Sequence, residues 1–131
     1  MGGIQMQFGE SPQRNITDWL KEHGIDAYLP GQHVGSCKSR YVVVRPAGVS
    51  RPLAGYTSTT STYELLCYVP KNEGSQLEDY VWQVKRIMAG LKEHMSVRDA
   101  YRDGPHFPDE DIDAHMMYVT YTAWRKLQEG V

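Results

Sequence analysis

The sequence predicts an α+β fold: a small antiparallel sheet of three to four strands, a long helix packed on one face and a short N-terminal helix, in the order α-β-β-α-β. Three observations carry this expectation. Tyr41-Val42-Val43-Val44 and Tyr63-Glu64-Leu65-Leu66-Cys67-Tyr68-Val69 are β-branched and aromatic runs, and each is followed by a proline, Pro46 or Pro70, that cannot donate to a sheet ladder. From Ser75 to Lys92, apolar residues recur at helical spacing. A third alternating run extends from Met116 to Trp124, with the aromatic and β-branched content of a strand.

With 131 residues the chain suits one domain, expected over residues 11–131 behind a flexible, glycine-rich arm at residues 1–10. Ser11-Pro12 reads as a helix start, the serine as N-cap and the proline in the first turn, where its missing N–H is no loss. Ile16, Trp19, Leu20 and His23 then share one face, and Gly24 ends the helix. Asp26 to Arg40 reads as loop, with Pro30-Gly31 and Gly35-Ser36 as turns and a short extended piece at Ala27-Tyr28-Leu29.

In the first strand Val42 and Val44 face one way and Tyr41 and Val43 the other. Ala47 to Thr57 is expected as a connection of about a dozen residues, where hairpin loops are usually two to five. It carries Arg51, Leu53 and Tyr56 among glycines. The second strand opens on serines and threonines and then alternates. Ser75-Gln76-Leu77-Glu78 reads as a capping box that opens the long helix. Its apolar face is Leu77, Tyr80, Val81, Val84, Ile87, Met88 and Leu91, and Glu78, Asp79, Gln83, Lys85, Arg86 and Lys92 lie opposite. From Ser96 to His115 the pattern weakens into turns at Asp103-Gly104-Pro105 and Phe107-Pro108 and an acidic loop of Asp109, Glu110, Asp111 and Asp113.

Composition and motifs narrow the function. A hydrophobic fraction of 40% with 23% charged residues is ordinary for a soluble globular chain. A net charge of -2 and a pI near 6.2 argue against tracking phosphate backbones, although Lys38, Arg40, Arg45 and Arg51 form a local basic cluster. The two cysteines, with no signal peptide at the start, favour a reducing compartment and a chain that is cytosolic when made; Cys67 is expected to pack as a small hydrophobe. No apolar run approaches the ~20 residues that cross a bilayer. His106, Asp109, Asp111 and His115 have the residue types of a metal site, but their spacing matches no metal motif. A small metal protein or enzyme using His106, Asp111 and His115 is the alternative they leave open. His33 and Cys37 lack a recognisable orienting group and oxyanion hole, and Gly31, Gly35, Gly48 and Gly55 make no phosphate cradle. Nine tyrosines, among them Tyr63, Tyr68, Tyr118 and Tyr121 on expected strands, could stack bases in a small nucleic-acid-binding regulator, yet a half-wet subunit contact suits them as well. No catalytic residue, cofactor or metal is expected.

Several short patterns in this order carry a resemblance: Trp19-Leu20-Lys21-Glu22-His23-Gly24, Tyr41-Val42-Val43-Val44, Gly55-Tyr56, Tyr68-Val69-Pro70, Tyr80-Val81-Trp82-Gln83-Val84 and Met117-Tyr118-Val119-Thr120-Tyr121. With chain length and element order, they make residues 12–127 resemble the tail-completion or tail-terminator proteins of long-tailed bacteriophages and prophages. The resemblance implies a non-enzymatic virion subunit, present in host cytoplasm during assembly and in the tail thereafter. It forms a ring, commonly of six, that caps the tail tube and joins it to the head connector, so its partners are its own copies, the tube protein and the connector protein. Ring closure can wait for the tube as template, which makes a monomer in dilute solution compatible with it. The residues expected at such contacts are Arg45, Arg51, Leu53 and Tyr56 from the basic segment and Asp109 and Asp111 from the acidic loop, opposite charges that suit a head-to-tail interface.

Overall fold

Ser11 opens helix α1 (Pro12–Glu22) as its sequence requires: its hydroxyl accepts from the Arg14 amide at 3.3 Å, and Gly24, at φ 86°, turns the chain away after the C-cap His23. The structure is a computed structural model that describes residues 8–50 and 58–126. After α1 come strands β1 (Ala27–Tyr28), β2 (Tyr41–Ser50) and β3 (Ser58–Pro70). A 3-10 turn (Lys71–Gln76) leads into helix α2 (Leu77–Leu91), and β4 (Val97–Asp99), β5 (Phe107–Asp109) and β6 (Ala114–Lys126) follow. The fold is α+β, as expected.

Among the described residues the sheet has six strands, in the order β1-β2-β3-β6-β4 with β5 also paired to β6, so the expected count of three to four is corrected. The expected antiparallel pairing holds except at β1, which runs parallel to β2 through Ala27↔Val42 and Tyr28↔Val43. The additional strands are two or three residues long, too short to leave a period in the sequence; β4 and β5 exist because β6 offers them an edge. They are two pieces of one interrupted edge strand. The segment between them stays on β6 through Ala100 N–H to Thr120 O and Gly104 N–H to Tyr118 O, both at 2.8 Å.

Two further expectations are corrected. Pro46 does not end the first strand: β2 continues to Ser50 across a register shift between Pro46 and Gly48. β1 pairs only with Val42 and Val43, so Pro46 lies where no outer strand needs its N–H, and a bulge follows it, both tolerated settings for proline. The expected loop from Ala47 to Thr57 thereby shrinks, because Ala47–Ser50 are strand. The capping box also fails to form. Ser75 lies inside the 3-10 turn, and α2 starts one residue later than expected, at Leu77, with Gln76 as an N-cap whose side chain makes no cap hydrogen bond.

Alternation along the central strands sorts their side chains to two faces. Val42, Val44, Leu65, Cys67, Val69, Val119 and Tyr121 point to the face that both helices cover. α2 lies over β3 and β6 and buries Leu77, Tyr80, Val81, Val84, Met88 and Leu91, the expected face with only Ile87 partly exposed. α1 lies beside it over β1 and β2, burying Ile16, Trp19 and Leu20. The Trp19 indole N–H donates to Ile87 O at 2.8 Å and so pins one helix to the other. The expected arm is described from Phe8 onward. There Phe8 stacks on His94 beside Trp19, and Gly9 exchanges two 2.9 Å hydrogen bonds with the Asn15 side chain.

Candidate functional site

With both helices on one side, the opposite face of the sheet has no helical layer among the described residues, and three features divide it. At one end the chain from Leu29 to Arg40 folds over it. His33 stacks on Tyr41 at 3.9 Å between centroids, Tyr41 stacks on Tyr68 at 4.8 Å, and Tyr28 meets Tyr41 edge-on. Cys37 is buried here, its N–H donating to Ile112 O at 2.7 Å, whereas Cys67 is buried on the helix-covered face; both thiols are free. Burial, with the charge of Glu73 adding to it, pushes the Cys37 thiol up to about 11. A thiol so held is poorly suited to be a nucleophile at neutral pH.

The middle of the face is an open groove of about 440 Å³. Thr62, Glu64, Tyr118 and Thr120 form its floor, Ala47 and Gly48 one wall and Arg102 the other. The Ala47–Gly48 wall follows from the β2 bulge, and the Arg102 wall from the interruption between β4 and β5. Thr120 Oγ1 donates to Arg102 O at 2.7 Å and ties that wall down. Arg45 reaches across the strands to Glu64, its Nε donating to Oε1 at 3.0 Å. Further along, Arg98 lies over the Trp124 ring, 4.7 Å from its centroid.

The third feature is the β5–β6 hairpin, closed by Asp109↔Ala114. Its tip is the expected acidic loop. Ile112 turns inward onto the tyrosine cluster, while Glu110, Asp111 and Asp113 are exposed; Asp109 Oδ1 accepts from the Asp111 amide at 3.2 Å. Nearby, His106 Nε2 and His115 Nδ1 stand 2.7 Å apart, one donating to the other. The two histidines of the alternative metal reading thus come together, but among the described residues no group of three or more histidine, cysteine or carboxylate side chains is placed to hold a metal ion.

The structure divides the expected contact residues. Arg45 is on β2 at the groove, and Asp109 and Asp111 are at the hairpin tip. Arg51, Leu53 and Tyr56 lie outside the described residues. The expected basic cluster is not one surface: Arg40 binds Glu73 of the 3-10 turn at 2.7 Å, next to the acidic end, whereas Ser50 lies roughly 30 Å further along the strand, at about 3.3 Å per residue. Sequence proximity along an extended strand is distance. Arg98 and Arg102 escaped sequence reasoning because they sit in a stretch without periodicity. Trp82, 68% exposed on α2, and Phe107, 51% exposed on β5, were hidden for a related reason, since an apolar residue in a plausible element reads as core. Of the strand tyrosines, Tyr63 and Tyr121 are buried under the helices, and Tyr118 lies beneath Gly104.

The described residues define a two-layer α+β domain in which they leave one sheet face open around a polar groove. A solved structure known only by a serial designation is similar over 91% of this chain and 92% of its own, with a TM-score of 0.50 and 13% sequence identity, a likeness of fold alone. No family model matches the chain, and no curated protein matches it. No helix among the described residues is long and apolar enough to cross a membrane.

Proposed function

We propose that this chain is a structural, non-enzymatic assembly subunit of the tail-completion class, which caps a phage tail tube and joins it to the head connector as a ring of its own copies. The observation that supports this reading most is the one-sided layering. Both helices bury the same sheet face, while the other carries half-buried Val43, Tyr118 and Trp124 and a groove, lined in part by Tyr118, that no other described residue fills. A sheet left open on one face is completed by a neighbour when subunits close a ring, which also protects sheet edges from uncontrolled pairing. Exposed Trp82, Tyr101 and Phe107, on α2, the β4–β5 segment and β5, add apolar surface along the β4–β5 edge. The cellular place that follows is host cytoplasm during assembly and then the virion tail.

The test is a complementation assay in which residues 51–57 are replaced by a short glycine-rich turn. The variant is expected to melt within a degree or two of the native protein and to leave heads and tails unjoined. Normal joining by that variant would remove the β2–β3 connection from the contact surface. Normal virion assembly in a host lacking the gene altogether would overturn the reading itself.

A further inference from the structure

We propose that the acidic tip of the β5–β6 hairpin in one copy docks in the arginine-walled groove on the open sheet face of the next. The two surfaces carry opposite and unneutralised charge. Among the described residues, Asp109, Glu110, Asp111 and Asp113 make no ion pair, although Lys85 holds Asp99 and Asp103, Arg40 holds Glu73 and Arg45 holds Glu64. On the open face, Arg102 and Arg98 likewise have no carboxylate among the described residues, and the one acid on the groove floor, Glu64, is already matched by Arg45. The groove is therefore positive on balance. It also presents the hydroxyls of Thr62 and Tyr118, which can donate to a carboxylate.

Placement decides that the occupant comes from another copy. Ala114, where the hairpin closes, lies six residues from the groove residue Thr120 along one straight strand, roughly 20 Å at about 3.3 Å per residue. A turn of four residues whose Ile112 is anchored on the tyrosine cluster cannot fold back that far. Tip and groove lie at different places on the subunit, as a contact that repeats head to tail around a ring requires. The inference rests on the ring-subunit reading for its purpose, and on the two charged surfaces for its geometry.

Two variants test it: Arg98→Glu with Arg102→Glu, which reverses the groove, and Glu110→Lys with Asp111→Lys, which reverses the tip. All these side chains are exposed. Sedimentation velocity of the native chain near millimolar concentration is expected to show association that weakens as salt rises. Each variant alone sets like charge against like and should lose association at least tenfold, and an equimolar mixture of the two should regain it. Native association unchanged by either reversal, a mixture that stays monomeric, or a native chain monomeric under these conditions overturns the inference. The first of these outcomes leaves the ring reading standing through another contact. Recovery on mixing, in a protein whose loss leaves head-tail joining intact, would instead keep the contact and overturn the functional reading.

Discussion

The backbone of Gly104 lies directly on the ring of Tyr118: its N–H donates to Tyr118 O at 2.8 Å, and a Cβ at position 104 would stand 2.1 Å from the ring carbon Cε2. This approach carries the chain from β4 to β5 across β6, and it positions the wall on which Arg102 stands. Gly104→Ala is therefore expected to destabilise the fold by about 1–3 kcal/mol, the usual cost of overpacking. Chemical denaturation reads the loss, and adding Tyr118→Ala should recover part of it. An unchanged midpoint in the single variant would mean that the edge segment runs elsewhere.

Val84 is fully buried, and Trp82, on the same helix, is 68% exposed. Val84→Asp places an unpaired carboxylate among core side chains and should abolish soluble folded protein. Trp82→Asp should leave stability within about 1 kcal/mol of native. Thermal melts of the pair decide whether α2 is oriented as described, since a reversed helix exchanges the two outcomes.

The two serines expected as caps differ. Ser11 caps α1 and Ser75 caps nothing, so Ser11→Ala should cost about 0.5–2 kcal/mol and Ser75→Ala no more than about 0.5 kcal/mol. Urea midpoints of the single variants separate these values, and equal losses would restore the capping box.

Burial, reinforced by Asp103 and opposed by Lys85, pushes the Cys67 thiol up to about 12, and Cys37 stands near 11 for the reasons of burial and Glu73. Thiol reagents attack the thiolate, so labelling of the native protein at pH 8 should be slow at both positions and become fast and complete in denaturant. No disulfide should form between them, because one lies on each side of the sheet. Rapid native labelling of one thiol would show that its cover opens.

At high pH the buried phenols should unfold the protein. Tyr41, Tyr80 and Tyr121 have their ionisation raised, in each case first by burial. Lys85 is also raised: burial lowers it, but its hydrogen bond to Asp103 and the charges of Asp103 and Asp99 together outweigh that. For all four groups the folded value exceeds the unfolded one, so their contribution is complete below about pH 10 and declines as pH rises beyond it. Phenolate absorbance should therefore lag behind that of free tyrosine and appear together with unfolding. Lys85→Met should reduce the alkaline loss slightly, and phenols that titrate freely while the fold persists would contradict their burial.

The sequence by itself determined α1 with its serine cap, the buried face of α2, the three long strands and the alternation that sends Val42 and Val44 one way and Tyr41 and Val43 the other. These features are local, written in periods of 3.6 or two residues and in single capping positions. Only the tertiary structure decided the remainder. β1, β4 and β5 are too short to have a period and form because a neighbouring strand offers hydrogen-bonding groups. Pro46 stays in its strand because it lies beyond the reach of β1, and Ser75 loses its cap because the chain leaving Pro70 winds into a 3-10 turn before α2 begins. The groove depends on a bulge in one strand and a gap in another, meeting over Thr62 and Thr120 across the sheet. Arg102 lies in sequence more than fifty residues from the Ala47–Gly48 wall, and only the register of β3 on β2 and β6 brings the two opposite each other.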